Sequence, residues 1–278
     1  MKHHLVLLLI FPLGINAQNY YRDILGTAET NQMMRLYKKM NVISVTSAGF
    51  NENNQPVPGF FEKQEVDSAN NLLKITRSYD NRRSAEWLYF DTLDHIIRHI
   101  DSSDGFRSET EYIYDDRGRL NVIHNITTDT TLNINESEYH FWEYGPNDVA
   151  IKMTRVINAA DTTEFRLSAD ENGNIIEETA YKKNRPGEKV YYYYNDNNQI
   201  TDVVRYNKKA RKLLPDFMFE YSETGKVIQK ITTHPNPKLG YIIWRYQFDD
   251  SGLKQREANF NKEKKLIGRI DYRYAFAK

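Results

Sequence analysis

Tyr112-Ile113-Tyr114-Asp115-Asp116-Arg117-Gly118-Arg119-Leu120 is the stretch whose reading decides the fold. It reads as an aromatic strand, a tight Asp-x-x-Gly turn and the start of a returning strand. In a hairpin loop of three to five residues, a type I turn is closed by one residue at positive φ, which forms a bulge. Gly enters that conformation freely, and Asn and Asp tolerate it best among the others. Asp, Asn or Ser at the first position accepts hydrogen bonds from the backbone further along the turn. Copies of the turn should therefore keep these chemical types while changing letters.

Degenerate copies run along the chain. With Asp115/Gly118 as the anchor pair, the others are Asn51/Asn54, Asp67/Asn70, Asp91/Asp94, Gly145/Asp148, Asp170/Gly173, Asn195/Asn198, Ser222/Gly225 and Asp249/Gly252. Phe50, Val66, Phe90, Tyr114, Tyr144, Ala169, Tyr194, Tyr221 and Phe248 stand just before the first anchors. From Asp67 the spacings are 24, 24, 30, 25, 25, 27 and 27 residues. A period of this size is the signature of a repeat architecture.

If each second anchor closes a bulge, Tyr114 lies opposite Leu120. The same geometry pairs Val66 with Leu72, Phe90 with Ile96, Tyr194 with Ile200 and Tyr221 with Val227. Such pairs contribute roughly 0.2–1 kcal/mol each and lock the register. The next position is often apolar too, as at Leu73, Ile97, Ile151, Ile176 and Ile228. Apolar residues on both faces predict a sheet that curls until its faces are covered.

Residues 18–40 are the one helical stretch. Thr27 is the expected cap, Ala28, Met33, Met34, Leu36, Tyr37 and Met40 form an apolar stripe, and Lys38 and Lys39 favour the C-terminal end. This helix is expected to cover the first edge of the sheet, because bare edge strands recruit other chains. The fold expected is all-β: an antiparallel meander of about 16–18 strands, curled as a single sheet or barrel-like shell, with a short N-terminal helix.

The Tyr-Asp-x-x-Gly-Arg-Leu string at 114–120 resembles the YD repeat of the Rhs family, and the hairpin period is similar to that of MORN-type repeats. The resemblance spans residues 41–278 and implies a spiralling β-sheet shell; some members of that family carry C-terminal toxins.

Residues 1–17 have the pattern of a secretory signal. Lys2, His3 and His4 precede the apolar run Leu5–Phe11, which is too short to span a bilayer, and Asn16-Ala17-Gln18 offers a cut after Ala17. The chain has no cysteine, so it carries neither disulfides nor a lipidated N-terminal cysteine. A secreted or periplasmic protein of a bacterial envelope is expected. The domain reading is 1–17 signal, 18–40 helical cap and 41–278 hairpin repeats.

Lys+Arg and Asp+Glu are both 38, so no global charge points to nucleic acid. No catalytic motif, cofactor loop or metal set is legible. His95 and His99, four apart on a strand, stand about 13 Å apart along one face. The turn carboxylates Asp115, Asp116, Asp249 and Asp250 serve the turns. What stands out is a basic bias in the variable connections: Lys182, Lys183, Arg185, Lys189, Lys208, Lys209, Arg211 and Lys212 against Glu188 and Asp216, with Lys262, Lys264 and Lys265 further on. These eight are the candidate ligand-binding residues, for an anionic polysaccharide or another envelope protein.

The functional expectation is a non-enzymatic binding or scaffolding module. Two alternatives stand beside it. One is a glycan-active enzyme with paired carboxylates on a concave face. The other is an outer-membrane barrel, against which stand charges on both faces of return strands, as in Glu177-Glu178 and Lys230, and an Ala277-Lys278 end.

Overall fold

The computed structural model describes residues 19–80, 82–208, 210–233 and 240–277. The expected signal segment 1–17, Lys209 and His234 lie outside the described residues. A π-helical turn, Tyr20–Leu25, runs directly into α1 (Gly26–Lys39). Eighteen strands follow: β1 (Val42–Asn51), β2 (Phe61–Asp67), β3 (Leu72–Tyr79), β4 (Arg82–Phe90), β5 (Ile96–Ser103), β6 (Phe106–Tyr114), β7 (Leu120–Asp129), β8 (Ile134–Tyr144) and β9 (Ala150–Ile157). Then come β10 (Asp161–Ala169), β11 (Ile175–Lys182), β12 (Arg185–Tyr194), β13 (Ile200–Asn207), β14 (Lys212–Tyr221), β15 (Val227–Thr233), β16 (Tyr241–Phe248), β17 (Lys254–Phe260) and β18 (Leu266–Phe276).

Each strand pairs with its neighbours in sequence, and β1 pairs with β18 as well as with β2, so the antiparallel meander closes into a barrel. The expected meander and helix are therefore present. The chain forms two compact units: Asn19–Thr46 with Gly59–Lys189 and Tyr274–Lys278, here the helical unit, and Ser47–Pro58 with Val190–Arg273, here the all-strand unit.

The anchored turns are built as their chemistry demands. Gly118 has φ 74°, and its N–H donates to the Asp115 carbonyl at 2.8 Å. The Asp115 carboxylate accepts the N–H groups of Arg117 (3.0 Å) and Arg119 (2.9 Å). Asp91, Asp170, Asn195, Asp249 and Asn51 repeat the same double acceptance. Asn54, Asp94, Asp148, Gly173, Asn198, Gly225 and Gly252 all have positive φ. The register follows: Tyr114 opposes Leu120, Phe90 opposes Ile96, Tyr194 opposes Ile200 and Tyr221 opposes Val227, each beside a bulge.

One copy departs. Val66 opposes Leu73, not Leu72, and the left-handed residue is Asn71, not Asn70. The pair Asn70-Asn71 offers two residues able to take the conformation, and the second takes it, which closes the hairpin without a bulge. A further copy escapes the sequence pattern. Asn261 and Lys264 close the β17–β18 turn, with Lys264 at φ 61° and Phe260 opposite Leu266. Lysine at the second anchor hid it.

The second apolar residue after each bulged turn behaves differently from expectation, while Leu73, after the turn without a bulge, is fully buried. Ile97, Ile151, Ile176 and Ile228 are the bulge residues and lie 38–47% exposed, so they do not pack into a second core. The residue before each bulge is buried instead: Ile96, Ala150 and Ile175. Tyrosines at the pre-anchor position stitch successive repeats. Tyr114 Oη donates to the Ile96 carbonyl (3.0 Å), Tyr144 Oη to Leu120 (2.7 Å) and Tyr221 Oη to Ile200 (2.7 Å). A ring that packs and a hydroxyl that bonds suit this half-buried place.

Two expectations about the helix are corrected. Thr27 does not cap it; its hydroxyl donates back to the Asp23 (2.5 Å) and Ile24 (3.1 Å) carbonyls inside the helical run. The start is fixed by a carboxylate from the sheet, Glu178, which accepts the N–H groups of Asn19 (3.1 Å) and Tyr20 (3.0 Å). Nor does the helix cover an edge, because β1 has partners on both sides. It covers a face. Tyr20 and Ile24 pack on Leu120, Ile123, Trp142, Ala150, Met153 and Phe165, and Asn31 Oδ1 accepts the Ile96 N–H at 2.8 Å. Burying a side chain of this size stabilises by roughly 1.5–3 kcal/mol, so this cluster gives the helix an apolar seat on the sheet.

Replacing Gly118, Gly173, Gly225 or Gly252 by Val is expected to cost more than about 1 kcal/mol each, because a β-branched residue is strained at positive φ. Thermal melting checks this. Unchanged melting in all four would contradict the left-handed closure.

Candidate functional site

The eight basic residues fall on two hairpins, one in each unit. In the helical unit, Lys183 (φ 51°) and Asn184 (φ 59°) form the two-residue turn between β11 and β12, flanked by Lys182 and Arg185. Two of its cations are neutralised. Lys182 Nζ lies 2.8 Å from Asp161, and Lys189 Nζ lies 2.8 Å from Glu177 Oε1. Hydrogen bonding from Lys182 holds the Asp161 carboxyl below the usual range. In the all-strand unit, Lys208, Arg211 (φ 52°) and Lys212 surround the β13–β14 turn and are exposed. Asp216, close in sequence, does not balance them, because Arg205 holds it through Nη2 at 2.9 Å.

Two arrangements were not legible in the sequence. The first is an open hollow of about 520 Å³ on β8–β11, on the face away from the helix. Glu143, Lys152, Arg166, Glu177, Thr179 and Tyr181 line it. The Arg166 guanidinium lies 4.1 Å from the centre of the Tyr181 ring, and Lys152 pairs with Glu143 at 2.6 Å. Its charges are thus engaged with one another.

The second is a buried polar cluster under the π-helical turn. His140 Nδ1 lies 2.5 Å from Asp23 Oδ2 and Nε2 lies 2.6 Å from Glu138 Oε1. The Trp142 indole N–H donates to the same Asp23 oxygen at 3.2 Å. With a carboxylate on each ring nitrogen, both nitrogens are donors, so the imidazole is held as imidazolium. Burial lowers the His140 pKa, but the charges and hydrogen bonds of Asp23 and Glu138 outweigh it and push it up to about 9. Asp23 stands 117 residues from His140 in sequence, and no local spacing announces the pair.

No protein-family profile and no curated protein matches this chain. Solved structures do. A Tc holotoxin pore from Photorhabdus luminescens aligns over 76% of this chain at 11% identity and a TM-score of 0.35, and the chain spans only 12% of that protein's length. A porin-like protein from Bacteroides uniformis aligns over 84% of this chain and 98% of its own, at 9% identity and a TM-score of 0.39. A porin-like protein from Bacteroides vulgatus aligns over 85% and 98%, at 13% identity and 0.26. At such scores these likenesses assign nothing to the chain. By strand pairing alone, a closed ring of eighteen strands fits the outer-membrane alternative better than an open scaffolding sheet.

The other described histidines have partners within the sheet, His124 stacking on Tyr139. His95 lies on the Asp91 turn, 3.2 Å from its carboxylate, and stacks on Tyr114, while His99 lies 3.0 Å from Glu86. Among the described residues, no group of three potential ligands converges on a metal position.

The His140 latch has a definite pH sign. Its folded pKa lies above the unfolded value near 6.5, so its stabilisation is complete below about pH 6.5 and is lost as pH rises through 9. Stability should fall between pH 7 and 10 by on the order of 3 kcal/mol more than in His140→Gln. Denaturant unfolding at both pH values measures the difference. Parallel profiles for parent and variant would contradict the latch.

Proposed function

We propose that this chain is a non-enzymatic β-barrel of the bacterial envelope, exported after cleavage near Ala17, that works in water and binds a partner through its surface turns. The carrying observation is the face turned away from the helix. Lys152, Arg166 and Glu177 alternate along their strands with the buried residues Met153, Phe165 and Glu178. They form ion pairs across that face with Glu143, Glu164 and Lys189. An Arg or Lys facing lipid at mid-depth costs roughly 2–4 kcal/mol. The periodic anchored turns support kinship with YD-type hairpin repeats within the same proposal.

Binding is favoured over catalysis because the carboxylates on the helix-covered face are committed. Glu62 and Glu86 hold Arg77, Glu138 holds His140, and Glu178 holds the helix start. Glu86 does stand opposite Asp101 on the next strand, but its carboxylate oxygens are taken by Arg77 and His99.

A second reading, an outer-membrane barrel, draws on the closed ring of strands and on the cross-strand ladder Ile113–Val122–Phe141, whose outer members are 51% and 40% exposed. One experiment separates the two. Residues 18–278 expressed without a leader are expected to purify and melt cooperatively without detergent. Folding only in detergent, or partition of the exported protein with membranes, would establish the second reading.

A further inference from the structure

We propose that one end of the all-strand unit is a docking site for an acidic polysaccharide, built by the β13–β14 and β17–β18 turns. This rests on the reading of the protein as a binding module, and it moves the centre of that module away from the β11–β12 hairpin.

The argument starts from which cations are balanced. On β11–β12, Lys182 and Lys189 each sit against a carboxylate. Inside the all-strand unit three strand cations are balanced too: Arg205 by Asp216, Lys254 by Glu257 and Arg256 by Asp271. The turn cations are not. Lys208, Arg211, Lys212, Lys264 and Lys265 are all exposed, and no described carboxylate forms an ion pair with them. Glu263 lies between two of them but leans to Lys262, at 3.8 Å.

Backbone conformation gives a second, independent observation. Arg211 has φ 52° and Lys264 has φ 61°. Sister turns place Asn or Gly there, as at Asn198 and Gly225, where the left-handed region costs least. Both turns hold an exposed long cation in the costly conformation, as the β11–β12 turn does at Lys183, where the flanking Lys182 is already paired with Asp161. Strain of this kind is characteristic of binding positions.

Topology then sets the size of the ligand. In an antiparallel meander, the β13–β14 and β17–β18 turns lie at the same end of the strands, four strands apart. At the usual strand spacing that separation is about 19 Å. A small anion reaches one turn only, whereas an extended polyanion reaches both. Tyr206 and Tyr241, on the strand ends at this side, are 53% and 41% exposed. Their rings offer apolar faces beside the cations, suited to the C–H faces of sugars. The ligand class is therefore a linear glycan bearing carboxylate or sulfate groups, attracted by charge and so sensitive to salt.

The test uses the exported protein, with heparin as the glycan probe and oligo-dT as the competing polyanion. Arg211→Asn with Lys264→Asn removes both strained cations and installs a residue at ease at positive φ, so melting should stay the same or rise. Heparin affinity at low salt should fall at least tenfold. Lys182→Ser with Lys189→Ser should change it less than twofold. Equal affinity of the Asn double variant and the parent would overturn the proposal, as would an equal loss in the Ser double variant or no heparin binding by the parent. Tighter binding of oligo-dT than of heparin would overturn the glycan assignment. These surface changes leave the detergent requirement untouched, so failure here and failure of the water-facing reading are told apart.

Discussion

A turn closed by one left-handed residue is the constraint on which the rest of this structure depends. Placing a residue at positive φ limits the position to Gly, Asn or Asp unless something offsets the strain. The closing residue then forces a bulge, and the bulge decides which side chain of the return strand turns inward. At the Asp115–Gly118 turn it buries Leu120 and leaves Asn121 outside. At Asp91–Asp94 it buries Ile96 and leaves Ile97 outside. The first anchor reinforces the closure, since its side-chain oxygen takes two backbone N–H groups that would otherwise need water. Arg119 binds the Asp115 carboxylate as well and helps to hold its pKa below the usual range.

From that local rule follows the packing between repeats. With the register fixed, the pre-anchor tyrosine reaches the carbonyl that opens the previous return strand, as Tyr144 reaches Leu120. For Tyr114, Tyr144 and Tyr221, hydroxyl bonding thus lies between repeats rather than within one. The helix completes the helical unit by lying on the apolar face this register produces. It is pinned by polar contacts along its whole length: Glu178 at its start, His140 beneath its π-helical turn, Ile96 on Asn31, Gln64 on Tyr37, and Asp94 and Asn71 on Lys38 near its end.

The division of charge follows the same logic. Strands present alternate residues to opposite faces, so a cation on the helix-free face meets a carboxylate on the next strand, as Lys152 meets Glu143. At the turns the outcome varies: Lys182 and Arg117 meet Asp161 and Asp148, whereas Lys208, Arg211, Lys212, Lys264 and Lys265 are exposed with no described carboxylate paired to them. The exposed positive charge of the all-strand unit therefore gathers at its hairpin tips.

The repeat, the strand count, the aromatic–aliphatic register and the presence of one helix were legible because all follow from local preference: φ at the anchors and alternation along the strands. Where two residues could satisfy the same rule, as Asn70 and Asn71 do, the letters left the choice open, and where a lysine broke the rule at Lys264 they concealed the turn. The basic bias was legible as composition, but not its division into paired and unpaired cations. Only the tertiary structure brought Asp23 to His140, Glu178 to the start of the helix and Asp161 to Lys182, and only it closed β1 against β18. The physical reason is range. A dihedral preference acts within four residues and leaves a local pattern, whereas a buried ion pair depends on two distant segments meeting, and nothing in either segment alone specifies the other.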